Sequence, residues 1–253
     1  MSRFPALVKL AAAAAIGATV AGGATALAGS DAVTAAHGRE PANVGQAKLD
    51  VKAYYGDWID ASGKHHYSES SRFVADTKRV VADAKRFLQQ KLGTVKNPAI
   101  VLDVDDTAEI TYGWEVDNDF GFDPVKQQKA IDEGTFGPNK PVLELANWAA
   151  GHGVRVYFLT GRNDRQGPQS LKNLANEGYP APAGAYFKPK TTPPDYLPCG
   201  LTCNTVQYKS GTRAHIQATG AHIVLNLGDQ FSDLEGGYAD RPVKLPNPMY
   251  YLP

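Results

Sequence analysis

Three aspartates follow one apolar run. In PAIVLDVDDTAEI, Ala99, Ile100, Val101 and Leu102 lead into Asp103, Asp105, Asp106 and Thr107. Like charges at the end of a buried strand repel one another unless a cation or a proton lies among them. Asp103 and Asp105 are two residues apart, and alternate residues of a strand point the same way. An oxygen-only pair of this kind suits Mg²⁺, which takes a few carboxylates and keeps several waters. Asp229, in IVLNLGDQFSD, supplies a further carboxylate from a distant segment, and Gly228 before it lets the backbone approach closely. A calcium loop is excluded. Counted from Asp103, its sixth and twelfth positions are Ala108 and Trp114, where glycine and glutamate are required. A capping turn accounts for one aspartate, not for three.

The elements that must hold these groups alternate between strand and helix, the pattern of a parallel α/β sheet. The periodicity predicts a helix over 68–92, ended by Asn97-Pro98, then a strand over 99–104. Next come a helix over 140–150, a strand over 154–159, a helix over 167–176 and a strand over 184–187. A helix over 212–218 and a strand over 222–227 close the series. Residues 108–138 fit neither period and are rich in aromatic and acidic residues, among them Tyr112, Trp114, Phe120 and Phe122. That segment reads either as a cover over the site or as a small satellite core. IVLDVDD, VYFLTGR and IVLNLGDQFSD each place polar groups just past an apolar strand, and in an open parallel sheet such ends line one crevice.

The 253-residue chain is long enough for one sizeable domain. Its first 28 residues carry Arg3 and Lys9, then an Ala-rich acid-free run ending in Ala26-Leu27-Ala28, the layout of a secretory leader cleaved after Ala28 or near Ala36. Residues 29–48 read as a linker and 49–253 as the domain. Removal of the leader lowers the 26 basic residues by two against 26 acidic ones, so no basic stripe marks a nucleic-acid polymer and no charge marks a membrane surface. Cys199 and Cys203 are the only cysteines. In an exported chain they read as a disulfide, with a metal site the weaker reading for want of a nearby histidine.

Four segments in order resemble the haloacid dehalogenase-like (HAD) superfamily of phosphatases. Within it they are most similar to the secreted class B/C acid phosphatases of subfamily IIIB, which include plant vegetative storage proteins. IVLDVDDT matches the first family motif, VYFLTGR with Thr160 the second, Lys209 in YKSGTR the third, and GDQFSD with Asp229 and Asp233 the fourth. The resemblance covers about residue 67 to the C-terminus. It implies a three-layer α/β sandwich with a parallel, Rossmann-like core sheet, an N-terminal helical extension and a small irregular insertion.

The resemblance also implies a secreted, Mg²⁺-dependent hydrolase of small phosphate monoesters. Asp103 is then the nucleophile that forms an aspartyl-phosphate, and Asp105 the general acid and base. The Asp103 carboxylate, the Asp105 backbone carbonyl and Asp229 ligate the metal. Thr160 and Gly161 hold phosphoryl oxygens, Lys209 offsets their charge, and Asp233 supports Lys209 or a metal-bound water. Arg162 either contacts substrate or pairs with an acid, and Lys188 and Lys190 compete with Lys209 for its role. A storage or binding protein with little turnover, and a phosphotransferase, are the other functions the resemblance allows. The sequence is silent on oligomeric state.

Overall fold

The computed structural model describes residues 41–253; the leader and most of the linker lie outside them. Residues 42–253 form one unit. In chain order the elements are α1 (Val44–Tyr55), β1 (Trp58–Ile59), β2 (His65–His66), α2 (Arg72–Lys91), β3 (Pro98–Leu102), β4 (Glu109–Ile110), α3 (Tyr112–Asp117) and α4 (Pro124–Glu133). They continue with β5 (Gly137–Pro138), α5 (Lys140–Gly151), β6 (Arg155–Asn163), α6 (Gly167–Asn176), β7 (Gly184–Lys188), α7 (Thr205–Ala218), β8 (His222–Gly228), α8 (Phe231–Leu234) and β9 (Arg241–Lys244).

Five strands make one parallel sheet in the order β7-β6-β3-β8-β9. The chain builds outward from β3 through β6 to β7, then returns to the other side of β3 for β8 and β9. The strand order therefore reverses between β3 and β8, and ligands of open α/β sheets bind at that switch point. Alternation along β3 explains the layers. Ile100 and Leu102 face a core shared with α2, α5 and α6, whereas Ala99 and Val101 face a second core built on α7. On β8 a register shift skips Val224, so Val224 and Leu225 both enter the larger core.

Three elements differ from the sequence reading, each for a local reason. Helix α1 begins at Val44, inside the stretch read as linker, because the Asn43 side chain caps the Gln46 amide. Helix α7 begins at Thr205 rather than 212, with Asn204 and Gln207 forming a capping box. Gly211 hides this start, since glycine weakens a helical pattern. Its reason is packing: an added Cβ would lie 2.7 Å from Leu197 Cδ2. Strand β9 carries Pro242 and was missed; an edge strand tolerates proline.

The segment 108–138 is not irregular. It holds α3 and α4, closed at its base by the antiparallel pair β4 and β5. Asp123 caps α4, Pro124 opens it and Gly134 ends it at φ +62°, a start and stop legible in the sequence.

Both expectations for its aromatic residues hold in part. Tyr112 and Val116 join Tyr55, Phe73 and Met249 in a satellite core, with Tyr55 stacked between Phe73 and Tyr112 at 4.3 and 4.2 Å. Phe122 instead stays exposed over the strand ends. Cys199 and Cys203 form a disulfide. No helix among the described residues is long and apolar enough to cross a membrane.

Candidate active site

A cleft of about 680 Å³ opens over the C-terminal ends of β3, β6 and β8. Asp103 is the first residue past β3 and is tied to β8 by its amide, which donates to the Leu227 carbonyl. The chain then turns tightly, the amides of Thr107, Ala108 and Glu109 all donating to the Val104 carbonyl. Asp106 stands at φ +52°, a conformation an aspartate adopts only with support. Its carboxylate provides it, accepting from the Thr111 amide and hydroxyl and from the Tyr250 hydroxyl, at 3.1, 2.6 and 2.7 Å. Asp106 is thus the turn's anchor.

Lys209 lies inside α7, on the face turned to the cleft, and is buried. Its ammonium donates to Asp103 Oδ1 at 2.5 Å and to Asp233 Oδ1 at 2.6 Å. Burial pulls the ammonium's proton affinity down, but Asp103 and then Asp233 more than reverse this, so Lys209 stays charged. Lys188 and Lys190 line the same cleft without touching Asp103.

Asp103, Asp229 and Asp233 each offer an oxygen, all within 4.8 Å of one another, and all three are buried. Burial, then Asp233 and Asp106, push Asp229 up to about 7; burial also raises Asp103 well above the usual carboxylate range, against the pull of Lys209. One ammonium cannot balance three carboxylates packed this closely, and an oxygen-only set is what a hard divalent cation takes. The residues therefore fit a metal ion. Asp233, expected in a supporting role, stands in this cluster, whereas the Asp105 side chain does not.

Asp105 is held from the other side. Arg162, buried at the end of β6, donates from Nε to both Asp105 oxygens at 3.2 and 3.1 Å and from Nη2 to Oδ1 at 2.6 Å. The same guanidinium pairs with buried Glu109 and donates to Ser170 Oγ at 3.0 Å. Arg162 accordingly pairs with acids, the alternative open to it from the sequence. Thr160 is fully buried and its hydroxyl accepts from the Arg162 amide at 3.1 Å, while Gly161 is exposed on the cleft wall.

Behind Glu109 lies Glu177. Glu109 Oε1 and both Glu177 oxygens are buried without a donor. Burial, then the Glu109 charge, push Glu177 up to about 8 from an ordinary value of 4.5, so Glu177 keeps its proton and satisfies Glu109. The sign follows. The folded state holds a proton that the unfolded state releases, so this contribution is complete below pH 4.5 and fades as pH rises through about 8. Thermal unfolding across that range should show the wild type losing stability relative to Glu177→Gln, whose amide replaces the proton.

Other positioning groups were missed from the sequence. Asn247 and Gln230 each donate to Asp229 Oδ2 at 2.7 Å, and the tail returns over the site through Tyr250 and Leu252. Arg213, one helical turn after Lys209 and fully buried, clamps the Asp233, Glu235 and Gly237 carbonyls. That i, i+4 pair of cations was a usable clue. Gly228 is required where β8 meets α8: an added Cβ would lie 2.4 Å from Asp233 Cβ.

Acid phosphatase 1 of Solanum lycopersicum is 34% identical over 156 residues, 60% of this chain and 58% of that protein. Vegetative storage protein 1 of Arabidopsis thaliana is 26% identical over 221 residues, 83% of this chain and 74% of that protein. The class C acid phosphatase from Bacillus anthracis shares the fold, with a TM-score of 0.53 at 21% identity over 69% of this chain and 79% of that one. A family model described as HAD superfamily, subfamily IIIB (acid phosphatase), matches residues 30–253, and the chain belongs to that family.

Proposed function

We propose that this protein is an exported, Mg²⁺-dependent acid phosphatase that hydrolyses small phosphate monoesters through an aspartyl-phosphate on Asp103. The observation that carries the reading is Lys209 gripping Asp103 and Asp233 at the floor of the cleft, beside Asp229.

Asp103 attacks phosphorus with the carboxylate oxygen that Lys209 leaves free, and the leaving alcohol departs on the opposite side. Asp105, positioned by Arg162, gives that alcohol a proton and later takes one from the attacking water. Gly161, exposed on the cleft wall, would offer its amide to a phosphoryl oxygen, and the buried Thr160 hydroxyl, which accepts from the Arg162 amide, would keep its own proton for another. Lys209 neutralises charge shared between Asp103 and the phosphoryl group. Asp103, Asp229 and Asp233 would hold the metal, with the Asp105 carbonyl as the expected backbone ligand; when bound, it stabilises charge on the transferring phosphoryl group.

The leaving group would face the insertion. A second hollow of about 230 Å³ adjoins Asp105 and is lined by Trp114, Phe120, Phe122, Phe136 and Tyr250. Export is supported by the disulfide and by the leader read from the sequence.

Phosphate release from p-nitrophenyl phosphate at mildly acidic pH tests the reading. Mg²⁺ should sustain it and EDTA should abolish it. The storage-protein relatives make the opposite outcome informative: a folded protein that binds phosphate esters in Mg²⁺ without releasing phosphate is a binding protein. Mg²⁺ should also raise the unfolding temperature of the protein, increasingly as its concentration exceeds its dissociation constant. Gly228→Ala should weaken Mg²⁺ binding by roughly 10–100-fold in a calorimetric titration, because Asp233 must move.

A further inference from the structure

The cleft is charged oppositely at its two ends. Asp103, Asp229 and Asp233 occupy the floor by β8. The far wall, beyond β6 and β7, carries Lys188 and Lys190. A neighbouring hollow of about 370 Å³ shares Gln128, Asn163 and Lys190 with the cleft and adds Arg165. Among the described residues, no carboxylate pairs with Lys188, Lys190 or Arg165. The acid of this stretch, Asp164, instead accepts from the Lys190 amide at 3.1 Å and so fixes the backbone that presents the lysine.

Two buried polar groups lining the same cleft are also without a full set of partners. Gln166 is 4% exposed. Its Oε1 accepts from the Asn163 amide at 2.9 Å and from Asn163 Nδ2 at 2.8 Å, which sets the orientation of the side-chain amide. Its NH₂ end is then the one left to serve the cleft that Gln166 lines. Tyr208, also a lining residue, is 1% exposed and its hydroxyl finds no partner in the protein. A buried hydroxyl without a partner is costly, so a ligand or water must complete it.

Fixed neutral donors beside unpaired cations select a compact group with several anionic oxygens. The scissile phosphoryl group is committed to Asp103 and Lys209. We propose that this wall is a subsite for a second phosphate on the leaving group, so that bisphosphorylated small molecules are the favoured substrates. The proposal rests on the phosphatase reading for its catalytic consequence, but not for binding.

Fructose 1,6-bisphosphate and fructose 6-phosphate test it on one scaffold. The wild type should show a kcat/KM at least roughly tenfold higher for the bisphosphate, as expected for two or three charge-assisted contacts. Lys188→Ala/Lys190→Ala should bring the ratio close to one, and Arg165→Ala should lower it in part. Calorimetric binding of both sugars to Asp103→Asn, with and without the lysine substitutions, supplies a readout independent of turnover. Preferential binding of the bisphosphate that the lysine substitutions remove supports the subsite, even if no phosphate is released and the phosphatase reading fails. Equal affinities and equal kcat/KM values in the unsubstituted wall would overturn it. So would a preference that survives both lysine substitutions, or an equal loss on both sugars, which would assign the lysines to the scissile group.

Discussion

Asp103→Asn should fold as the wild type does and release phosphate on the order of 10⁴-fold more slowly or worse, the scale seen when a nucleophile is removed. The fold is expected to survive because the change relieves strain in the site. Burial pushes the Asp103 carboxyl well up, against Lys209, and Asp233 and Asp229 add to the repulsion. An amide keeps an oxygen for the Lys209 ammonium, now 2.5 Å away, while losing the charge. The unfolding temperature without metal should therefore be unchanged or higher, and Mg²⁺ should raise it less. A fall in activity together with loss of fold would mean that Asp103 is structural.

Lys209→Met should have the largest effect on stability. Its ammonium is the donor shared by Asp103 and Asp233, and all three groups are buried. Breaking a buried ion pair from one side costs about 3–5 kcal/mol, because the partner charges remain. Methionine keeps the apolar stem, so the loss reports charge rather than a cavity. Without Lys209 the carboxylates bind protons more readily when folded than when unfolded. Stability should then be recovered at low pH and lost as pH rises. Urea unfolding at pH 5 and pH 7.5 reads this directly; a cost below about 1 kcal/mol at the higher pH would contradict the shared-donor account. Turnover should fall by at least about 10²-fold, the usual cost of one electrostatic donor at a reacting centre.

How much of this was legible in the chain depended on whether the signal was local. Strand β3 and its aspartates were readable because an apolar run and a charge cluster sit side by side in sequence. The same holds for Thr160 past the apolar part of β6, and for Asp229 and Asp233 past β8. Lys209 was identified through its match to a family motif, although the helix around it was read seven residues short at Gly211. The pairing partners were not readable. Glu109 and Arg162 lie 53 residues apart, and Tyr250 reaches Asp106 across 144. Such contacts depend on how loops pack over a sheet, which no period records. The helices α3 and α4 went unread for a different reason: α3 has six residues, too few for a period, and α4 has a weak apolar face, although Asp123, Pro124 and Gly134 mark its ends.

The central claim is that Asp103 carries the phosphoryl group. Acid-quenching the wild type during turnover of p-nitrophenyl phosphate with Mg²⁺, then mapping peptides by mass spectrometry, tests it most directly. The mass of one phosphoryl group should appear on the peptide containing Asp103 and vanish in Asp103→Asn. Phosphate release with no such adduct at any quench time, or an adduct on another residue, would contradict it.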